Sequence, residues 1–236
     1  MVLNQMFIIL EILQLTKMNK SLEDNILKLK SAQGLIQSLT DLLSFPGSEY
    51  LNPEKLDEDI KLITSFVDNP EFLKQLVEIK NEYISNEQQE LMIEFARLFV
   101  GPFHVIAPPY GSYYLEEGKL MGDSTFQVSK LYDSTGLAIN ESFKDLPDHV
   151  VAESEFLLFL IHNEIQFLLN GVNENLQTIN NIKKEFFNRF YYSWIKEFSK
   201  VIINNSRLEF YRKVGTYLNL VVDELKNEIN RAHNLN

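Results

Sequence analysis

The stretch Pro147-Asp148-His149-Val150-Val151-Ala152-Glu153-Ser154-Glu155-Phe156-Leu157-Leu158-Phe159-Leu160-Ile161, continuing to Asn170, decides the fold. Its six consecutive apolar residues, 156–161, do not alternate as a half-buried strand does, and the run is too short to span a bilayer. A helix that is apolar on nearly all sides must be enclosed by other elements. Residues 147–170 are therefore read as the central helix of the fold, closed by Gly171.

The surrounding sequence predicts more helices. Asn52-Pro53-Glu54 and Asn69-Pro70-Glu71 each place a capping side chain, a first-turn proline and an acid that complements the helix dipole. Ser21-Leu-Glu-Asp24 reads as a capping box opening a helix with Leu22, Ile26, Leu29, Leu35, Leu39 and Leu42 at helical spacing. Residues 87–100 and 124–135 continue the pattern. So do 174–204, with a bend near Ser193-Trp194, and 207–232. No alternating strand is present, so the class is all-α: one domain of about eight to ten helices over residues 21–236. Residues 1–20 are read as a dispensable extension or first helix, with Leu3, Phe7 and Leu10 on one face, and residues 136–146 as a hinge.

Composition excludes several functions. With 236 residues and no cysteine, the chain has no thiolate metal site, disulfide scaffold or cysteine nucleophile. A net charge of −11 disfavours nucleic acid and favours a basic partner. The charge is uneven: from Lys183 onward there are ten Lys/Arg against six Asp/Glu, net +4, while residues 1–182 hold 12 against 27, net −15. No segment reads as a membrane span or an export signal, and a cytoplasmic location is expected.

Two regions carry candidate chemistry. Residues 101–123 form the longest non-periodic stretch and hold Phe103, Tyr110, Tyr113 and Tyr114, which either pin the loop to the helices or wall a peptide groove. Residues 141–165 carry Glu141, Asp145, Asp148, Glu153, Glu155 and Glu164 against Lys144 alone, around His149. One reading makes Asp145 the N-cap and Pro147 a first-turn residue of the central helix. Another makes the carboxylates a receptor for a cationic segment. A third is a metal-assisted hydrolase built on Asp148, His149, Glu153 and His162, with His104 as a further ligand, although no H-E-x-x-H or E-x-x-H motif occurs. Nucleophile-elbow, P-loop and dinucleotide motifs are absent, and Trp194 reads as structural.

Read together, several strings resemble the TorD/DmsD family of redox-enzyme maturation chaperones, closest to its DmsD-like branch. They are Phe95-Ala-Arg-Leu98-Phe99-Val-Gly101-Pro102, Ala107-Pro-Pro-Tyr110-Gly111-Ser-Tyr-Tyr114-Leu115, Gly122-Asp-Ser-Thr125, Pro147-Asp-His149 with Glu153, Trp194-Ile-Lys-Glu-Phe198 and Phe210-Tyr-Arg212. The resemblance implies an all-helical, cofactor-free and metal-free, non-enzymatic cytoplasmic chaperone. Its client would be a molybdenum-cofactor oxidoreductase, held through its twin-arginine signal peptide until the cofactor is loaded. A scaffold that contacts the folded client is the alternative within that class, and a monomer or a helix-exchanged dimer fits either. The signal-peptide site implied here comprises Leu98, Phe99, Phe103, Tyr110, Tyr114, Gly122, Asp148, His149 and Glu153. This chain departs from the family where an acid often precedes the Pro-Asp-His string: Leu146 stands there, with Asp145 beside it. It also has Phe103, Tyr110 and Tyr114 at loop positions that are often tryptophan.

Overall fold

A computed structural model describes residues 20–101, 105–137 and 145–230. The amino-terminal extension, Phe103, His104 and most of the expected hinge lie outside the described residues. Among those described there is no strand. Ten α-helices follow in order: α1 (Lys20–Leu42), α2 (Pro53–Phe66), α3 (Pro70–Ser85), α4 (Gln88–Phe95), α5 (Gly111–Leu115), α6 (Asp123–Ser134), α7 (Val150–Asn170), α8 (Asn173–Phe186), α9 (Tyr192–Asn205) and α10 (Glu209–Asn230). Two π-helical turns interrupt the series, Ala96–Val100 after α4 and Phe187–Tyr191 between α8 and α9.

The two Asn-Pro-Glu starts form as the sequence predicts. Asn52 Oδ1 accepts the Lys55 amide at 2.9 Å, and Asn69 Oδ1 accepts the Glu71 amide at 3.0 Å. The capping box does not: Ser21 lies inside α1, which is already helical at Lys20, so its hydroxyl does not occupy an N-cap. Just ahead of Ser193-Trp194, where a bend is expected, the helical pattern is interrupted by the Phe187–Tyr191 π-turn.

The central helix starts at Val150 rather than Pro147, and Gly171, at φ 67°, ends it in the left-handed conformation that glycine adopts without penalty. It shares the centre with α10, whose face of Phe210, Val214, Leu218, Val221 and Leu225 is fully buried. α10 packs on α9, α3 and α1, while α7 packs on α1 and α8. Gly215 lets α9 and α10 close together, because a Cβ there would lie 2.8 Å from Ile203 Cγ1 and 3.1 Å from the Ser199 carbonyl. One side of α7 stays open, where Leu158 and Phe159 meet Leu62 and Phe66 in a groove of about 560 Å³ beside exposed His162.

Polar groups are also buried between helices. Lys183 of α8 pairs with Glu164 of α7, both 1% exposed, with burial pulling the lysine pKa down against the attraction of Glu164. Lys55 of α2 sits 3.3 Å from Asp41 of α1 and 3.6 Å from Asp59, and both carboxylates are almost fully buried. The proline-rich segment after the first π-turn leads into α5, which lies on α9 and α6.

Candidate functional site

The aromatic loop is joined to the start of α7 by backbone hydrogen bonds. Val150 donates its amide to the Pro109 carbonyl and Gly111 donates to the Asp148 carbonyl, both at 2.9 Å, forming one antiparallel bridge between Tyr110 and His149. This bridge fixes the aromatic loop against the start of α7.

His149, not Asp145, is the N-cap of α7: its Nδ1 accepts the Val151 amide at 3.2 Å. An accepting Nδ1 places the proton of the neutral ring on Nε2. Burial holds the His149 pKa below the usual histidine value, against the opposing pull of Asp145 and Asp148. The Tyr110 ring meets the imidazole edge-on at 5.4 Å, and the Tyr110 hydroxyl donates to Asp145 Oδ1 at 2.6 Å. Asp145 Oδ2 lies 3.9 Å from His149 Nε2, and its side chain is 40% exposed. Tyr110, His149 and Asp145 thus form a surface cluster with an accessible carboxylate beside an aromatic face.

Asp148 and Glu153 point the other way. Asp148 is 1% exposed, and its Oδ2 accepts the Ser112 amide at 2.7 Å, so it caps the loop helix rather than facing solvent. Glu153 is fully buried, and its Oε2 accepts the indole N–H of Trp194 at 2.8 Å. Burial pushes the Glu153 pKa well above its ordinary value, opposed by the Trp194 hydrogen bond and reinforced by Asp148, which favours the neutral form over the carboxylate. The expectation that Asp148 and Glu153 face outward to receive a cation is corrected here. The second oxygens of both, Asp148 Oδ1 and Glu153 Oε1, have no hydrogen-bond partner, and neither do the buried hydroxyls of Ser112 and Tyr114.

Gly111 makes this arrangement fit, since a Cβ at that position would sit 3.1 Å from Trp194 Nε1 and 3.2 Å from Glu153 Oε1. Tyr114 stacks on Trp194 at 5.7 Å with the rings 21° apart. Trp194 is therefore part of the site's foundation and more than a piece of core. Leu98 and Phe99 are buried in and beside the π-turn and do not line the surface. Phe99 connects to the site through Phe198, at 5.9 Å, which in turn packs 5.6 Å from Trp194 and 6.0 Å from Tyr114.

Gly122 is the N-cap of α6, and the cap itself comes from a residue the sequence reading passed over. Glu116 accepts the Asp123 amide at 3.0 Å and the Ser124 amide at 2.7 Å, which lowers its pKa together with the Ser124 hydroxyl. A Cβ on Gly122 would fall 2.0 Å from Glu116 Oε2, so glycine is what admits the carboxylate. No local window signals this contact, because Glu116 reaches seven and eight residues forward.

The metal-hydrolase constellation does not assemble. His162 lies thirteen residues beyond His149 on α7, about 20 Å along the axis at 1.5 Å per residue, and it opens into the groove against α1 and α2. Among the described residues no three His, Asp or Glu side chains are placed to hold a metal ion. No described helix is long and apolar enough to cross a membrane.

The fold matches the crystal structure of a protein from Archaeoglobus fulgidus described as a redox enzyme maturation protein, with a TM-score of 0.54 at 23% identity over 81% of this chain and 93% of that one. That likeness shows an all-helical fold of the same architecture. Residues 54–200 match the model of the nitrate reductase delta subunit family, and the chain belongs to this family, which includes the TorD chaperones. It is similar to the chaperone protein TorD of Psychrobacter sp. (28% identical over 111 residues) and of Vibrio atlanticus (25% over 189 residues). The Vibrio atlanticus match covers 75% of this chain and 86% of the relative. The Psychrobacter match covers 47% and 48%, so the chain spans about half the length of that relative. These relatives carry the names of chaperones and not of catalysts.

Proposed function

We propose that this protein is a non-catalytic cytoplasmic maturation chaperone that binds the twin-arginine signal peptide of a molybdenum-cofactor oxidoreductase before its export. Family membership supports a role with a redox-enzyme precursor. The observation that carries the peptide reading is the Tyr110–His149 bridge, which sets an exposed Asp145 carboxylate beside the Tyr110 ring and the His149 imidazole. A guanidinium is recognised by a carboxylate that accepts its forked donors and by an aromatic face on which its plane can stack. Asp145 supplies the acid that Leu146 does not. Asp148, Glu153 and Trp194 act beneath the surface, holding the loop and the helix start in register.

Titrating a fluorescent twin-arginine peptide into the protein tests the proposal. Saturable binding that is lost when both arginines are changed to alanine supports it. Absence of binding, or binding indifferent to the arginines, overturns it.

A further inference from the structure

Immediately beyond α5 the chain makes a tight turn that exposes apolar side chains. Leu120, Met121 and Phe126 are 46%, 60% and 63% exposed within seven residues, whereas most side chains of their size in this protein are buried. The turn is built rather than loose. Gly118 donates its amide to the Tyr113 carbonyl at 2.8 Å, and the Glu116 carboxylate clamps the first amides of α6. Glu117 and Met121 both have positive φ, at 53° and 56°, a conformation disfavoured for residues with a Cβ. Backbone strain that serves to present exposed apolar groups points to a binding role.

The charge around these side chains selects the occupant. Residues 116–126 contain Glu116, Glu117 and Asp123 against Lys119 alone, so the patch is apolar with an acidic border. Such a border repels anionic lipid and suits an apolar peptide segment that carries cationic residues. The patch is joined to the proposed arginine site by α5, which begins next to Tyr110, packs against α6, and ends where the Tyr113 carbonyl accepts the Gly118 amide. Methionine suits a surface that must accept apolar segments of varied shape, because its unbranched thioether adapts.

We infer that Leu120, Met121 and Phe126 form the docking surface for the apolar stretch that follows the arginine pair in the bound peptide. The inference rests on the peptide-binding reading and assigns it a second, separate contact.

The test uses two labelled peptides, one with two arginines followed by an alternating leucine–alanine stretch, and one with that stretch replaced by serine and glycine. The full-length protein is expected to bind the first about tenfold more tightly, the scale of burying one large apolar side chain. Changing Met121→Ser and Phe126→Ser together is expected to abolish that preference while leaving the weaker affinity for the serine–glycine peptide unchanged. Asp145→Asn is expected to weaken both peptides alike. A doubly substituted protein with an unchanged circular-dichroism spectrum that keeps the tenfold preference overturns the docking surface and leaves the arginine site standing. Failure of the unsubstituted protein to bind either peptide overturns both readings. Sedimentation of the unsubstituted protein as a dimer that the two serines dissolve would assign the patch to self-association and overturn the inference.

Discussion

Trp194 donates its indole N–H to Glu153 Oε2 at 2.8 Å, linking α9 to α7 beneath the aromatic loop. Burial pushes the Glu153 pKa up and favours its neutral form, and an amide is neutral and of the same shape. Glu153→Gln is expected to change unfolding free energy by less than about 1 kcal/mol, and Glu153→Ala to cost about 2–4 kcal/mol through the stranded indole donor and the space left behind. Urea unfolding followed by Trp194 fluorescence measures both. Equal damage from the two substitutions would mean that the group is ionised in the folded protein.

Asp145 and Asp148, three residues apart, are expected to respond in opposite ways. Asp145 is accessible, so Asp145→Asn should lower affinity for a twin-arginine peptide about tenfold, as expected for a charge-assisted contact, with a thermal midpoint close to that of the unsubstituted protein. Asp148→Ala strands the buried Ser112 amide and is expected to destabilise by about 1–3 kcal/mol, with peptide binding following stability. His149→Ala removes an N-cap and should cost about 1 kcal/mol. Peptide titrations and melts on all three variants separate recognition from support. The assignment fails if Asp148→Ala keeps full stability and loses binding.

Much of this fold was legible because helix starts and stops are local chemistry. Asn52, Asn69 and Gly171 act within one turn of where they stand, and each reads correctly from its neighbours. The orientation of Asp148 and Glu153 was not legible. Which way a side chain faces at a helix start depends on what packs there, in this case Ser112 from the loop and Trp194 from a helix forty-one residues further along. The sequence marks His149 as a metal-site or binding residue, but the backbone enters α7 so that the imidazole nitrogen caps it. Leu98 and Phe99, which the resemblance assigns to the peptide site, are buried rather than exposed. Phe99 reaches the site through Phe198, and no spacing rule conveys a contact at that remove.

The Gly122–Glu116 pair makes a prediction about coupling. Gly122→Ala is expected to expel the Glu116 carboxylate from the start of α6 and cost about 1–2 kcal/mol, the scale of a lost cap, plus the adjustment around the new methyl. Glu116→Ala should cost a similar amount by removing the same cap. The double substitution is then expected to be much less damaging than the sum, because the cap can be lost only once. A double-mutant cycle by chemical denaturation checks this, and strictly additive costs would show that the two residues act independently.

The buried pair Asp41 and Asp59 predicts a pH dependence of stability. Burial, reinforced by Asp41 and opposed by Lys55, raises the Asp59 pKa from 3.8 to about 7, and Asp41 is raised as well, again by burial. Between those two values the folded chain holds a proton that the unfolded chain has already released. Stability from this site must therefore fall as pH rises from about 4 to about 7 and level off above that. Asp59→Asn cannot ionise, so its thermal midpoint relative to the unsubstituted protein is expected to climb steadily across the same window. Melts at intervals from pH 4 to pH 8 measure the difference between the two proteins, in which contributions from other titrating groups cancel to the extent that the substitution leaves them unchanged. Parallel curves would show that Asp59 ionises as readily in the folded protein as in the unfolded chain, with Lys55 compensating both carboxylates in full.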